Sequence, residues 1–287
     1  MDKVHVWLRR GFLSGVVAIC TMMPAHSQPK ITYDPAAAVA AGLTVTFGND
    51  PLFMEAARPF LQHPKAQFGD LTPLMPYGVV LTNTSSKAIA MFSVIYERVY
   101  TGRPWPSNTG TIAINTRNSD GVANFGPGQS VLIFPGVSLV GPITALRQSI
   151  IDQEVKVLEG VTSVRLVVDG VIFEDGLLFG PDRHGLAVRY DAERQAIRDV
   201  LQEAQKIPAN EDFQQYVQGL ASLQLPQLAS VAEPLRDGAF YYQRMRQRLG
   251  KSLQQRTADP DSGLAWLARV HQRYANSAPN SQKGDAK

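Results

Sequence analysis

The feature that most restricts the fold of this 287-residue chain is a change of hydrophobic period at Gly180-Pro181. Before it, apolar residues alternate with polar ones or gather in short β-branched and aromatic runs. After it, they recur every three or four residues. Leu43-Thr44-Val45-Thr46-Phe47 has the period of a half-buried strand. Residues 77–81 and 88–100, separated by the turn cluster Asn83-Thr84-Ser85-Ser86-Lys87, read as a hairpin. Residues 111–115 form another alternating run, and the loop at 125–130 delivers a strand at 131–134. Runs at 161–168 and 171–173 flank Asp169-Gly170, and Asp175-Gly176 follows soon after. Asp-Gly pairs accept the positive φ that tight hairpin turns need. Short strands with turn signals between them, and no helical period intervening, predict an antiparallel β-sandwich over 43–180. The exception is 51–61, where Asp50 as a cap and Pro51 at the first position predict a short surface helix.

Beyond the switch, Leu186, Tyr190, Ile197, Leu201 and Ala204 fall on one helical face, with Arg189, Glu193, Arg194 and Asp199 elsewhere. A helix should begin near Asp182 and end before Pro208. Others are expected at about 210–223, 230–256 and 261–275, making 181–275 a helical region. Its richness in glutamine, 14 from residue 181 onward, suits an exposed hairpin or bundle. Residues 28–42 read as a loose lead-in, and 276–287 as a disordered tail.

The first 27 residues have the three-part order of a cleavable export signal. Lys3, Arg9 and Arg10 supply positive charge. An apolar stretch over 11–23 follows, shorter than the ~20 residues a membrane-spanning helix takes. Then Pro24 breaks the run, and Ala25-His26-Ser27 offers small residues at Ala25 and Ser27 for cleavage before Gln28. Arg9-Arg10-Gly11-Phe12-Leu13 resembles the twin-arginine export signal, where two arginines precede Phe and Leu. The same residues also fit an ordinary secretory signal or an uncleaved anchor. Cys20 is preceded by Ile19, where a lipid-attachment pattern wants a small side chain.

Removal of this segment changes what composition means. The chain's net charge of +3 comes from 28 Lys+Arg and 25 Asp+Glu. Without Lys3, Arg9, Arg10 and Asp2 these become 25 and 24, a charge of +1. That gives no concentrated basic surface of the kind phosphate backbones require, so nucleic acid is not expected as a partner. The only cysteine is Cys20, so a processed chain would have no disulfide, thiolate metal site or cysteine nucleophile. With 44% hydrophobic and 18% charged residues, the composition is that of a soluble globular protein, and no transmembrane segment is expected after the signal.

Most chemical motifs fail on spacing. Gly250-Lys251-Ser252 ends like a phosphate-binding loop, but Met245 stands where the earlier glycine belongs, and the stretch reads as helix. Asp259-Pro260-Asp261-Ser262-Gly263 opens like a calcium loop, but Val270 occupies the position of its bidentate acid. His63, His184 and His271 are far apart, without ligand spacing. Ser130 lacks the second glycine of a nucleophile elbow, and Thr84-Ser85-Ser86-Lys87 lies on a turn without a buried lysine base. No cofactor is expected.

Two features remain. Glu174, Asp175, Asp182, Arg183 and His184 crowd the strand-to-helix junction, either as a polar site or as a hairpin turn and a helix N-terminus. Trp105, in the proline-stiffened run Tyr100-Thr101-Gly102-Arg103-Pro104-Trp105-Pro106, would stack on a sugar ring or a partner if exposed, or cap the core if buried.

Several of these pieces together resemble a group of exported bacterial proteins that bring no assigned activity with them. The matching residues are Asn83-Thr84-Ser85 with Lys87-Ala88-Ile89, Pro127-Gly128-Gln129-Ser130 and the strand at 164–168. Phe173-Glu174-Asp175-Gly176 and Gly180-Pro181-Asp182 before a charged helix complete the likeness, which covers about 77–205. The resemblance implies export and an immunoglobulin-like sandwich, but no chemistry. The expectation is therefore an α+β protein: an N-terminal antiparallel immunoglobulin-like β-sandwich with a C-terminal α-helical region, periplasmic or secreted. It would act as a non-enzymatic interaction or scaffolding module of the cell envelope, with another envelope protein or a glycan as partner. The alternative is a carbohydrate-binding protein or weakly marked hydrolase, with its site near the junction.

Overall fold

The structure is a computed structural model. It describes residues 30–62, 67–102, 108–117, 120–121, 123–135, 137–139, 145–146, 148–208, 211–228, 234–256 and 260–275. The export signal (1–27), Trp105 and the C-terminal tail (276–287) lie outside these.

The β part contains β1 (Lys30–Asp34), β2 (Leu43–Phe47), β3 (Gln67–Phe68), β4 (Val79–Asn83), β5 (Ile89–Tyr100), β6 (Asn108–Asn115), β7 (Ser130–Phe134), β8 (Val137–Leu139), β9 (Ala145–Leu146), β10 (Val161–Phe173) and β11 (Leu178–Phe179). Helices α1 (Ala36–Ala40), α2 (Phe53–Leu61) and α3 (Gln148–Leu158) are set among them. One sheet runs β1-β10-β5-β6, with β11 also on β10; a second runs β2-β4-β7-β8; β3 and β9 form a separate pair.

The expected immunoglobulin-like sandwich is not what forms. β1 lies parallel to β10, with Lys30 opposite Ser163 and Asp34 opposite Val167, so the larger sheet is mixed. β3 and β9 are parallel as well. The sheet thus begins inside the segment read as a lead-in. A parallel pair cannot be closed by a hairpin, and here most of the β part separates the two strands. Helix α3, which the strand pattern also missed, inserts just before β10.

The long strands carry the architecture. β5 and β10 pair antiparallel along nearly their whole length, with a register shift between Val168 and Gly170. Asp169-Gly170 is therefore a bulge in one continuous strand rather than a hairpin turn. Both faces of this sheet are covered. Phe92, Val94, Tyr96, Val164, Leu166 and Val168 share a core with Val79, Leu81, Leu132 and Phe134 of the second sheet. Met91 and Ile172 point the other way, into a cluster with Leu186, Tyr190, Leu235 and Tyr241. Two-sided burial explains why Ile89-Ala90-Met91-Phe92-Ser93-Val94-Ile95-Tyr96 is nearly continuously apolar instead of alternating.

The helical part consists of α4 (Leu186–Ala204), α5 (Glu211–Ala221), α6 (Gly238–Gln254) and α7 (Pro260–Ala275), with a 3-10 turn at Pro234–Arg236. The helix expected from 230 thus starts at Gly238, where Asp237 caps it by accepting from the Phe240 amide at 2.9 Å. Ala196, Ile197, Val200, Phe213, Val217, Leu249, Leu253, Trp266, Leu267 and Val270 form its core. Helix α4 serves two cores: its first turns pack on the mixed sheet and its remainder on the other helices.

Candidate functional site

Three of the junction residues, Asp182, Arg183 and His184, organise around a side chain that the sequence marked only as part of a turn. Asp169 sits on the β10 bulge, fully buried. Its carboxylate accepts from the amides of Arg183 and His184, both at 3.0 Å, and its carbonyl from the Asp182 amide at 3.1 Å. His184 Nδ1 lies 3.6 Å from the same carboxylate, beyond hydrogen-bond range. Asp182 has a left-handed backbone, φ 49°, which turns its carboxylate onto the first turn of α4. There it accepts from the amides of Leu186 and Ala187 at 2.5 and 3.2 Å. Burial pushes the Asp182 carboxyl above the usual range, against the lowering pull of those two amides. Arg183 is exposed, and its carbonyl accepts from Arg236 at 2.7 Å.

Glu174 contributes its backbone: its amide donates to Ala88, and its carbonyl accepts from Arg117. Asp175 is an exposed turn residue, ion-paired with Lys87 and accepting from the Leu177 amide. The hairpin turn and helix N-terminus are therefore what these residues form. The described stems of the Trp105 loop, Gly102 and Asn108, stand at the far end of β5 and β6 from Ala88 and Glu174. A 12-residue strand separates its ends by about 36 Å. The loop stems and the junction do not converge.

Sequence reasoning missed a second set of polar residues, between the mixed sheet and the helices. Arg189 and Glu193, one turn apart on α4, are both buried and paired at 2.9 Å. Arg189 also donates to the Ala113 carbonyl of β6 at 2.8 Å and lies over the Tyr241 ring. Glu193 accepts from Asn115 at the end of β6, and the same amide reaches the Tyr274 hydroxyl. Burial pushes the Tyr274 phenol up to about 12. Arg117 stacks its guanidinium 4.3 Å above the Tyr274 ring and donates to the carbonyls of Gly121 and Arg273. Asp120 then accepts from the Trp266 indole at 2.9 Å. The loop after β6 is thereby clasped by α4 and α7. An i,i+4 Arg–Glu pair reads as a solvated helix face; only the sheet beneath it reveals the burial.

An open cleft of about 300 Å³ lies where α4 meets α7, lined by Asp191, Arg194, Gln195 and Arg198 from the first and His271 and Tyr274 from the second. Arg194 meets Asp191 at 3.7 Å and lies over the Tyr190 ring; Arg198 meets Asp199 only at 4.0 Å. Among the described residues no cluster of three His, Cys, Asp or Glu is placed to hold a metal, and no helix is long and apolar enough to cross a membrane. Comparison with family models, curated proteins and solved structures finds no match to this chain.

Proposed function

We propose that this chain is an exported, non-enzymatic interaction module of the cell envelope, whose β part acts as a frame and whose helices carry the recognition surface. The observation behind this reading is the use of the polar residues at the two seams. Asp169 is committed to the turn that leads into α4, Asp182 to the first amides of α4, and Arg189, Glu193, Asn115 and Arg117 to fixing the helices on the sheet. Groups held in this way supply rigidity, and a rigid frame lowers the entropy cost of presenting a binding surface. A glycan site or hydrolase at the junction would need Glu174, Asp175 or His184 beside an aromatic platform. Asp175 is instead paired with Lys87 on an exposed turn.

The test is retention of envelope proteins on the immobilised, purified chain. One protein recovered in every repeat, in near-equal amount and absent from a bare-resin control, is the expected result. Repeated recovery of nothing above the control refutes the reading.

A further inference from the structure

The cleft between α4 and α7 brings two arginines and a histidine to one open surface, with Asp191 the one acidic residue lining it among the described residues. Among the described residues, neither guanidinium makes a close carboxylate pair. Their carboxylate contacts are 3.7 and 4.0 Å, whereas Arg246 grips Glu203 at 2.7 and 2.8 Å elsewhere in the same bundle. Asp199 is not free to take Arg198 more closely. It accepts from the Gln195 amide at 2.8 and 2.9 Å and from the Tyr242 hydroxyl at 2.9 Å. The Arg198 side chain remains 53% exposed, while Arg194, at 23%, is braced along Tyr190. This leaves two planar donor forks of the kind that bind oxyanions bidentately.

Their spacing selects among oxyanions. Residues four apart on a helix are displaced by about 6 Å along its axis. In an extended peptide, side chains two apart share one face and lie about 6.7 Å from each other. His271, on the opposite wall, adds a third donor. At about 300 Å³ the cleft is at the small end of ligand sites, of the size for a short segment rather than a domain.

We propose that this cleft is a docking site for an extended acidic segment of a protein partner, with carboxylates at alternate positions, Asp/Glu-x-Asp/Glu, received by Arg194 and Arg198. This rests on the reading of the chain as an interaction module and names the chemistry of its partner.

The experiment is fluorescence anisotropy of the full chain with the labelled peptide Gly-Glu-Gly-Glu-Gly. Gly-Gly-Glu-Glu-Gly serves as a spacing control and inorganic phosphate as a competitor. The expected result is saturable binding that weakens as salt is raised. It should fall about tenfold in Arg198→Gln, the loss of one charged hydrogen-bonding partner, with the thermal midpoint unchanged. Tighter binding of the alternating peptide than the adjacent one, and survival of the complex at equimolar phosphate, complete the expected pattern. Equal binding by wild type and Arg198→Gln, equal binding of both peptides, or displacement by equimolar phosphate each overturns the proposal. The two readings fail separately. An envelope partner retained by Arg198→Gln refutes this site but leaves the interaction module standing. Peptide binding without any envelope partner does the reverse.

Discussion

Arg189 and Glu193 form a 2.9 Å ion pair within one turn of α4, yet both residues also bond to β6, through the Ala113 carbonyl and the Asn115 amide. A pair that looks like helix decoration thus joins two layers of the fold. The charges are buried, so removing one stranded partner matters more than the net value of the pair.

Glu193→Ala should therefore cost roughly 3–5 kcal/mol, because it leaves the Arg189 charge buried without its carboxylate. Glu193→Gln should cost less, since an amide oxygen still accepts from a neighbouring donor. Equilibrium urea unfolding of the two variants measures both. Equal, negligible losses would mean that the seam contributes nothing to stability.

Asp169→Ala removes the acceptor for two amides and leaves them inside the junction. With hydrogen bonds to charged groups contributing about 1.5–3 kcal/mol each, a loss of at least about 3 kcal/mol is expected. Hydrogen exchange should accelerate first at the Arg183 and His184 amides. Unchanged protection there would contradict the bond assignment.

Gly250→Ala should destabilise, although alanine is the better helix former by about 1 kcal/mol. A Cβ at Gly250 would lie 2.4 Å from the Ala221 nitrogen and 2.6 Å from the Leu220 Cβ, where α6 crosses the end of α5. Overpacking of this kind costs about 1–3 kcal/mol and outweighs the propensity gain. A rise in thermal midpoint would refute the close crossing.

The hydrogen bonds from Arg246 hold the Glu203 carboxyl below its usual range, against the raising effect of partial burial. A depressed folded value means that the contribution is complete above the unfolded value, near 4.5, and fades as pH falls through the folded one. Wild type should thus be more stable than Glu203→Gln at pH 7, and the difference should shrink below about pH 4.5. Urea unfolding across pH 3–7 measures this; a constant gap would exclude it.

Replacing both Arg9 and Arg10 with lysine should hold the chain in the cytoplasm if export follows the twin-arginine route. Fractionation with immunoblotting reads the outcome, and undiminished export would leave the ordinary secretory route.

The elements whose signal is local were legible in the amino-acid order alone. The helical face of Leu186, Tyr190, Ile197 and Leu201 marks α4, and the β-branched runs mark β5 and both halves of β10. The Asp175-Gly176 turn was legible too, because Gly176 takes the positive φ the turn demands. Pairing partners were not legible, because a strand carries no local mark of parallel or antiparallel neighbours; β1 joined β10 across most of the β part. The nearly unbroken apolar run of β5 is itself the mark of burial on both faces.

The candidate sites divide in the same way. Glu174, Asp175, Asp182, Arg183 and His184 were visible as a cluster because they are neighbours in the chain. The roles of Asp182, Arg183 and His184 were decided by Asp169, which only the bulge brings beneath them, and that of Asp175 by Lys87. Arg189, Glu193, Asn115 and Arg117 gave no local signal, since a buried charge and an exposed one look alike until the opposing surface is placed. The change of period at Gly180-Pro181 was therefore enough to separate strands from helices. How the two parts meet was settled by burial and register, which depend on residues distant in the chain.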